Sequence, residues 1–278
     1  MPAKSLPFDR AAGFYDETRG FPPGVAPRAA ALLAKIGGLD AASRVLEIGI
    51  GTGRVALPLA ALVRGVWGVD LSRPMMQRLR AKQSGEPVYP LEGDAARLPF
   101  PAAAFDAAVA VHVFHVIGDW QEALRELARV LRPGAPLIHA WSHRGDVFRP
   151  IWEAWQAVVP PAQRLRPGVS DGQRDTFLTD EGWRLIADDS YAYTVTYSPQ
   201  NLIEDLQNRS TSSTWHLTDD ELTAAIAAAR AAIAERFDDP TRPLVISAWF
   251  RAQAYLPPEG ISRAPARRSG HLREDDRG

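Results

Sequence analysis

Between about residues 26 and 143 the apolar positions follow two rhythms in turn, one helical and one nearly continuous. The stretch APRAAALLAKI repeats Ala and Leu at helical spacing and stops at Gly37 and Gly38, as a helix and its glycine terminator do. RVLEIG then reads as a strand, RVALPLAALV as a helix, GVWGVD as a strand, and SRPMMQRLRAK as a helix whose Ser72 and Pro74 suit its cap and first turn. PVYPLEGD and FDAAVAVHVF follow as strands, WQEALRELARVL as a helix and APLIHAW as a strand. In that helix Leu124, Leu127, Ala128 and Leu131 share one face, Asp119 and Glu122 have capping-box spacing, and RPGAP supplies the glycine and proline that stop it. Apolar strands alternating with amphipathic helices predict an α/β fold, with a doubly wound, mostly parallel sheet covered on both faces.

Beyond residue 143 the pattern loosens. A segment rich in aromatics, prolines and arginines holds one short helix near 151–159, and DEGWRLIADD reads as another helix. YAYTVTYS alternates as a strand does, while PQNLIEDLQNR and TDDELTAAIAAARAAIAERF read as helices, the second opened by a Thr218 and Glu221 capping box. LVISAWFRAQAYL is a last strand, expected to be antiparallel and at or near the sheet edge. The polar, Pro- and Arg-rich stretch 257–278 is expected to be a disordered tail.

Composition narrows the partners. The 278 residues are 46% hydrophobic, and 32 Lys and Arg against 33 Asp and Glu give a formal charge of -1. Without a positive excess, no nucleic-acid partner is expected. The absence of cysteine removes disulfides, thiolate metal sites and a Cys nucleophile together, and fits a reducing compartment. No signal-peptide run stands at the N-terminus, and no stretch approaches the roughly 20 apolar residues of a membrane span. The expectation is a cytoplasmic protein with no membrane partner; the oligomeric state is left open.

Gly49, Gly51 and Gly53 lie between the first strand and the next helix, where a bare backbone lets a ligand approach closely and meet the helix N-terminus. A dinucleotide site is spaced G-x-G-x-x-G. Here the spacing is G-x-G-x-G, and Glu47 at the loop entrance would repel a pyrophosphate while helping to hold an ammonium or sulfonium. Asp70 closes the second strand, where a carboxylate can accept both hydroxyls of a ribose. Adenosine is therefore a candidate, and NAD is disfavoured.

In chain order, VLEIGIGTGR, GVDLSRPMM, EGDAARLPFPAAAFDAAVAVHVFHVIGDW and RVLRPGAPLIHAW resemble four motifs of the class I S-adenosylmethionine-dependent methyltransferases, in particular the type 11 small-molecule branch. The resemblance covers residues 9–143. It implies a Rossmann-like methyltransferase fold with a seven-stranded sheet over residues 26–256, an inserted, mainly helical substrate lobe at about 144–240, and a cofactor-closing segment at 1–25. It also implies S-adenosyl-L-methionine as cofactor and a small-molecule acceptor. Carried over by position, Gly49, Gly51 and Gly53 pass beneath the methionine portion, with Glu47 anchoring the loop and its ligand. Asp70 binds the ribose, Leu71 and Met75 line the adenine face, and Asp94 takes the adenine amino group beside the Ala95 amide. Val111 and His112 border the methionine amino group. Tyr15 and Arg19 belong to the closing segment, Arg19 facing the methionine carboxylate.

Catalytic chemistry is less determined. His112 and His115, three apart at the mouth of the fourth strand, and His143, past the fifth, are candidate general bases or hydrogen-bonded wall residues. Two histidines at that spacing are too few for a metal site, so none is expected. Trp120, Trp141, Trp152, Trp155 and Trp215 either line an acceptor pocket or pack the lobe onto the sheet. Asp94 has the alternative of capping its own turn, and Asp106 reads as a strand-entry residue. Since a sulfonium is already a good leaving group, alignment and desolvation can supply much of the rate without an indispensable acid or base. The leading reading is a small-molecule methyltransferase. The alternatives are a cofactor-binding protein without transfer activity, an NAD-dependent oxidoreductase and an RNA methyltransferase.

Overall fold

The computed structural model describes residues 5–161 and 168–258. Seven strands form one sheet: β1 (Arg44–Ile48), β2 (Gly65–Asp70), β3 (Val88–Glu92), β4 (Ala107–Val111), β5 (Leu137–Arg144), β6 (Arg184–Tyr197) and β7 (Leu244–Leu256). Their order is β3-β2-β1-β4-β5-β7-β6. β1 to β5 are parallel, and β7 runs antiparallel between β5 and β6. The chain leaves β1 towards β2 and later returns on the other side as β4, so the carboxyl ends of β1 and β4 flank the switch point where open α/β sheets bind ligands.

Both faces are covered. On one, Leu46, Ile48, Ala108 and Leu137 pack against Leu124 and Leu127 of α5 (Trp120–Val130) and Leu178 of α7 (Asp171–Asp180). On the other, Val45, Val109, Ile138 and Ala252 meet Leu33 of α2 (Val25–Gly37), Leu59 of α3 (Ala56–Leu59), and Met76 and Leu79 of α4 (Arg73–Lys82). A third core joins α6 (Arg149–Val158), α8 (Pro199–Gln207) and α9 (Asp219–Ala234) through Ile151, Trp155, Leu206, Ala225 and Ala229. The short α1 (Tyr15–Arg19) precedes the sheet. Residues 144–240 thus supply α6 to α9 but also β6, which is the edge strand of the main sheet.

Local signals largely act as read. Gly38 takes the left-handed conformation (φ 61°) that ends α2, the Met75 N–H donates to the Ser72 hydroxyl at 3.3 Å, and Thr218 and Glu221 cap each other at the start of α9. Asp106 accepts the Arg44 N–H at 2.8 Å and pairs with Arg132, the strand-entry role expected of it.

Three readings are corrected. RVALPLAALV is helical only over Ala56–Leu59, since Pro58 carries no N–H for the helical ladder. Asp119 makes no side-chain cap to α5, and Glu122 pairs with Arg125 at 3.3 Å instead. DEGWRLIADD is not a helix: Asp180 ends α7, Gly182 reverses the chain at φ 79°, and β6 begins at Arg184. A bulge between Leu185 and Ala187 breaks the strand alternation there, and the adjacent apolar Leu185 and Ile186 imitate helical spacing. The helix lies just upstream as α7, opened by a Ser170 and Gln173 capping box; it buries Arg174 where an apolar residue would have revealed it. The tail expected at 257–278 falls, from residue 259 onward, outside the described residues.

Candidate functional site

β1 ends in a loop whose Gly49, Gly51 and Gly53 all have left-handed backbones (φ 70°, 53° and 76°). A Cβ on Gly49 would stand 2.5 Å from Val113, and one on Gly51 would enter the space between Met75 and Asp70. Gly53 has a different reason: its Cβ would meet Leu79 at 2.8 Å, so it serves helix packing and does not line the cleft. Asp70 holds the loop by accepting the Gly51 N–H on Oδ2 and the Ser72 N–H on Oδ1, both at 2.8 Å. Each oxygen keeps a lone pair for a further donor. Burial raises its pKa, and these backbone hydrogen bonds oppose the rise.

Next to the loop is a narrow cleft of about 90 Å³. Gly49, Gly51, Asp70, Leu71 and Met75 line one side, and Asp94, Ala95, Val111 and His112 another. Asp94 has both features weighed for it, since it lines the cleft and accepts the Ala96 N–H at 3.0 Å as a turn cap. Ser5, Leu6, Phe8 and Tyr15 close the cleft from the N-terminal side, none but Tyr15 having been singled out. The Leu6 N–H donates to Val116 O at 2.9 Å, and Thr52 of the glycine loop donates to Asp16 at 2.6 Å, so strap and loop are tied together.

Glu47 lies inside β1 rather than on the cleft wall. Its carboxyl is buried, Oε2 has no hydrogen-bond partner, and desolvation pushes its pKa up to about 8 against the opposing charge of Arg54. A cation nearby would relieve that cost.

A second cavity, of about 640 Å³, opens beside the first; Phe8, Tyr15 and His112 line both. His112 has a left-handed backbone (φ 51°), and its Nε2 accepts the Ser142 N–H at 2.7 Å. With that lone pair occupied, a neutral ring carries its proton on Nδ1. His115 and His143 line the larger cavity, His143 half-exposed with Nε2 3.8 Å from Asp146.

Several expected residues lie elsewhere. Arg19 lines the large cavity, not the cleft. Trp152 and Trp155 line that cavity too, but Trp120, Trp141 and Trp215 line neither. Trp120 packs edge-on against Phe177, and Trp141 stacks on His139 between the Arg174 and Arg251 guanidiniums. Trp215 holds Phe8 at 4.8 Å. Sequence spacing put Trp141 near the carboxyl edge, but strand alternation turns its ring to the α7 face while Ser142 faces the cavity. Arg54, Arg144, Tyr193, Tyr197 and Asp205 of the large cavity had no local signal, because they come from four separate stretches.

Comparison with known proteins agrees with this geometry. The methyltransferase domain family, type 11, matches residues 46–139. A demethylmenaquinone methyltransferase from Thermus thermophilus is 42% identical over 102 residues, 35% of this chain and 46% of that protein, so the chain spans about half of that relative's length. A demethylmenaquinone methyltransferase from Tropheryma whipplei is 34% identical over 186 residues, covering 63% of this chain and 75% of the relative. Among solved structures, the YcgJ protein from Bacillus subtilis superposes with a TM-score of 0.55 at 20% identity, over 84% of this chain and 99% of that one, which speaks for the fold. From the glycine loop to β5, and in identity over three quarters of a relative, the chain belongs to the class I S-adenosylmethionine-dependent methyltransferases of type 11.

Proposed function

We propose that this protein transfers a methyl group from S-adenosylmethionine, held in the cleft, to a small-molecule acceptor in the large cavity. The carrying observation is that the two spaces meet at His112, at the switch point of the sheet. Membership of the family implies the cofactor. The chain's own groups fit it: a glycine cradle that a Cβ would fill, a carboxylate with spare lone pairs at the end of β2, and a buried Glu47 oxygen without a partner. When bound, S-adenosylmethionine supplies an electrophilic methyl on a sulfonium with a good leaving group.

The residues then have separable tasks. Asp70 accepts the ribose hydroxyls while fixing the glycine loop. Leu71, Met75 and Ala95 enclose the base, and Asp94 accepts from its amino group. Glu47 provides negative charge beneath the methionine end. His112 stands at the boundary of the two spaces, its ring fixed by the Ser142 N–H. Phe8 and Tyr15 keep water from that boundary, so alignment and desolvation carry the reaction. The match to the family ends at residue 139, and most of the large cavity's wall comes from later residues, so the relatives' acceptors are not carried over.

Calorimetric titration with S-adenosylmethionine, S-adenosylhomocysteine and NAD tests this. Binding of the first two and silence with NAD is expected; binding of NAD alone overturns the reading. In Asp70→Asn one acceptor oxygen becomes a donor, and affinity for S-adenosylmethionine is expected to fall by about 1–3 kcal/mol. Unchanged affinity removes the ribose assignment.

A further inference from the structure

The large cavity gathers three guanidiniums with which no described carboxylate pairs directly. Arg19, half-buried at the end of α1, lines it with Arg54 and Arg144. Among the described residues no carboxylate lies within ion-pair distance of these three guanidiniums. Arg54 donates to the Arg19 carbonyl at 2.5 Å and stacks over Phe21 at 4.6 Å, and Arg144 lies over Tyr197 at 4.8 Å.

Two carboxylates line the same cavity, each with another hydrogen-bond or charge partner. Asp205 accepts the Tyr197 hydroxyl at 2.5 Å, and Asp146 stands 3.8 Å from His143 and 4.0 Å from Arg149. Burial lowers the pKa of Arg19, Asp205 works against that, and Arg144 adds to it. Desolvating a guanidinium beside a second one is costly unless an anion completes the site. Phe148, Trp152 and Trp155 add aromatic surface to the same cavity, Phe148 packing on the Tyr197 ring that Arg144 lies over.

We propose that the acceptor is an organic acid, an aromatic or apolar body lying against Phe148, Trp152 and Trp155 with its carboxylate held by Arg19 and Arg144. Guanidinium and carboxylate match in geometry as well as charge, which a neutral acceptor would not exploit. The carboxylate end then fixes which atom of the acceptor reaches His112 and the cofactor cleft. This inference rests on the large cavity being the acceptor site.

The test uses the full chain, first titrated with S-adenosylhomocysteine and then, saturated with it, with indole-3-acetate and indole-3-acetamide, which share a shape and differ in charge. The acid is expected to bind roughly tenfold or more tightly than the amide, a preference that Arg19→Met removes and Arg19→Lys partly restores. Arg144→Met, at an exposed position, gives the same comparison should Arg19→Met fail to fold. An acid that binds no better than the amide, including no binding of either at millimolar concentration, overturns the proposal and leaves the methyltransferase reading intact. Loss of S-adenosylhomocysteine affinity in Arg19→Met also overturns it, by assigning the guanidinium to the cofactor's own carboxylate. Failure of the unmodified protein to bind S-adenosylhomocysteine removes the methyltransferase reading itself.

Discussion

At the scale of single residues, Glu47 sets burial against charge. Its pKa is pushed up to about 8 from an ordinary 4.5, chiefly by desolvation. The folded protein therefore keeps a proton that the unfolded chain releases, and stability falls as pH rises from 4.5 towards 8, levelling off on either side. Denaturant unfolding across that range should record the fall, and Glu47→Gln should flatten it; an unchanged profile in the variant would place the effect elsewhere. Binding a cationic ligand above Glu47 should also expel its proton near neutral pH, read as a dependence of the titration heat on the buffer's ionisation enthalpy. His112 gives a second prediction. His112→Asn, which tolerates the left-handed backbone, should bind S-adenosylmethionine normally while turnover falls roughly tenfold to a hundredfold through loss of the oriented ring. Normal turnover would reduce His112 to a wall residue. The glycine loop was legible in the sequence because its spacing follows a strand directly, although Gly53 serves helix packing and the contact from Asp70 to Gly51 spans nineteen residues. The His112 ring gave no such signal, because its proton is set by Ser142, thirty residues away.

At the scale of elements, legibility followed the strength of the end signals. α9 has a reciprocal cap, with the Thr218 N–H on the Glu221 carboxylate at 2.8 Å and the Glu221 N–H on the Thr218 hydroxyl at 3.2 Å. Thr218→Ala is expected to cost about 1 kcal/mol of unfolding free energy in chemical denaturation. Because α9 packs on α6, which carries Trp152 and Trp155, part of that loss should appear as weaker acceptor binding. Asp119 has the same residue spacing and forms no cap, since its backbone (φ -98°, ψ 55°) is not the extended geometry a cap requires. α7 and the start of β6 were exchanged in the sequence reading for a related reason. A buried Arg174 hides the helix, and a bulge at Ile186 hides the strand.

At the scale of the whole molecule, the N-terminal strap links cofactor cleft and lobe. Phe8 lines both cavities and is held by Trp215, whose ring also carries Arg10 at 5.4 Å and whose Nε1–H donates to Arg209 O at 2.8 Å. Trp215 itself lines neither space. Trp215→Ala should nevertheless speed dissociation of S-adenosylhomocysteine in stopped-flow measurements, by loosening the strap; an unchanged rate would mean that Leu6 and its bond to Val116 hold the strap alone. The sequence by itself determined the α/β class, the strand and helix order up to β5 and the place of the glycine loop, while the structure gave the hold on that loop to Asp70 rather than to Glu47. What the sequence determined depends on periodicity and on contacts within one turn or one strand-to-helix junction. The tertiary structure decided which tryptophans face a cavity, that Arg19 joins Arg144 at the large cavity and not the cofactor cleft, and that His112 stands where two spaces meet. Each of these depends on the twist of the sheet and on chain segments far apart in sequence, and no local pattern encodes such an approach.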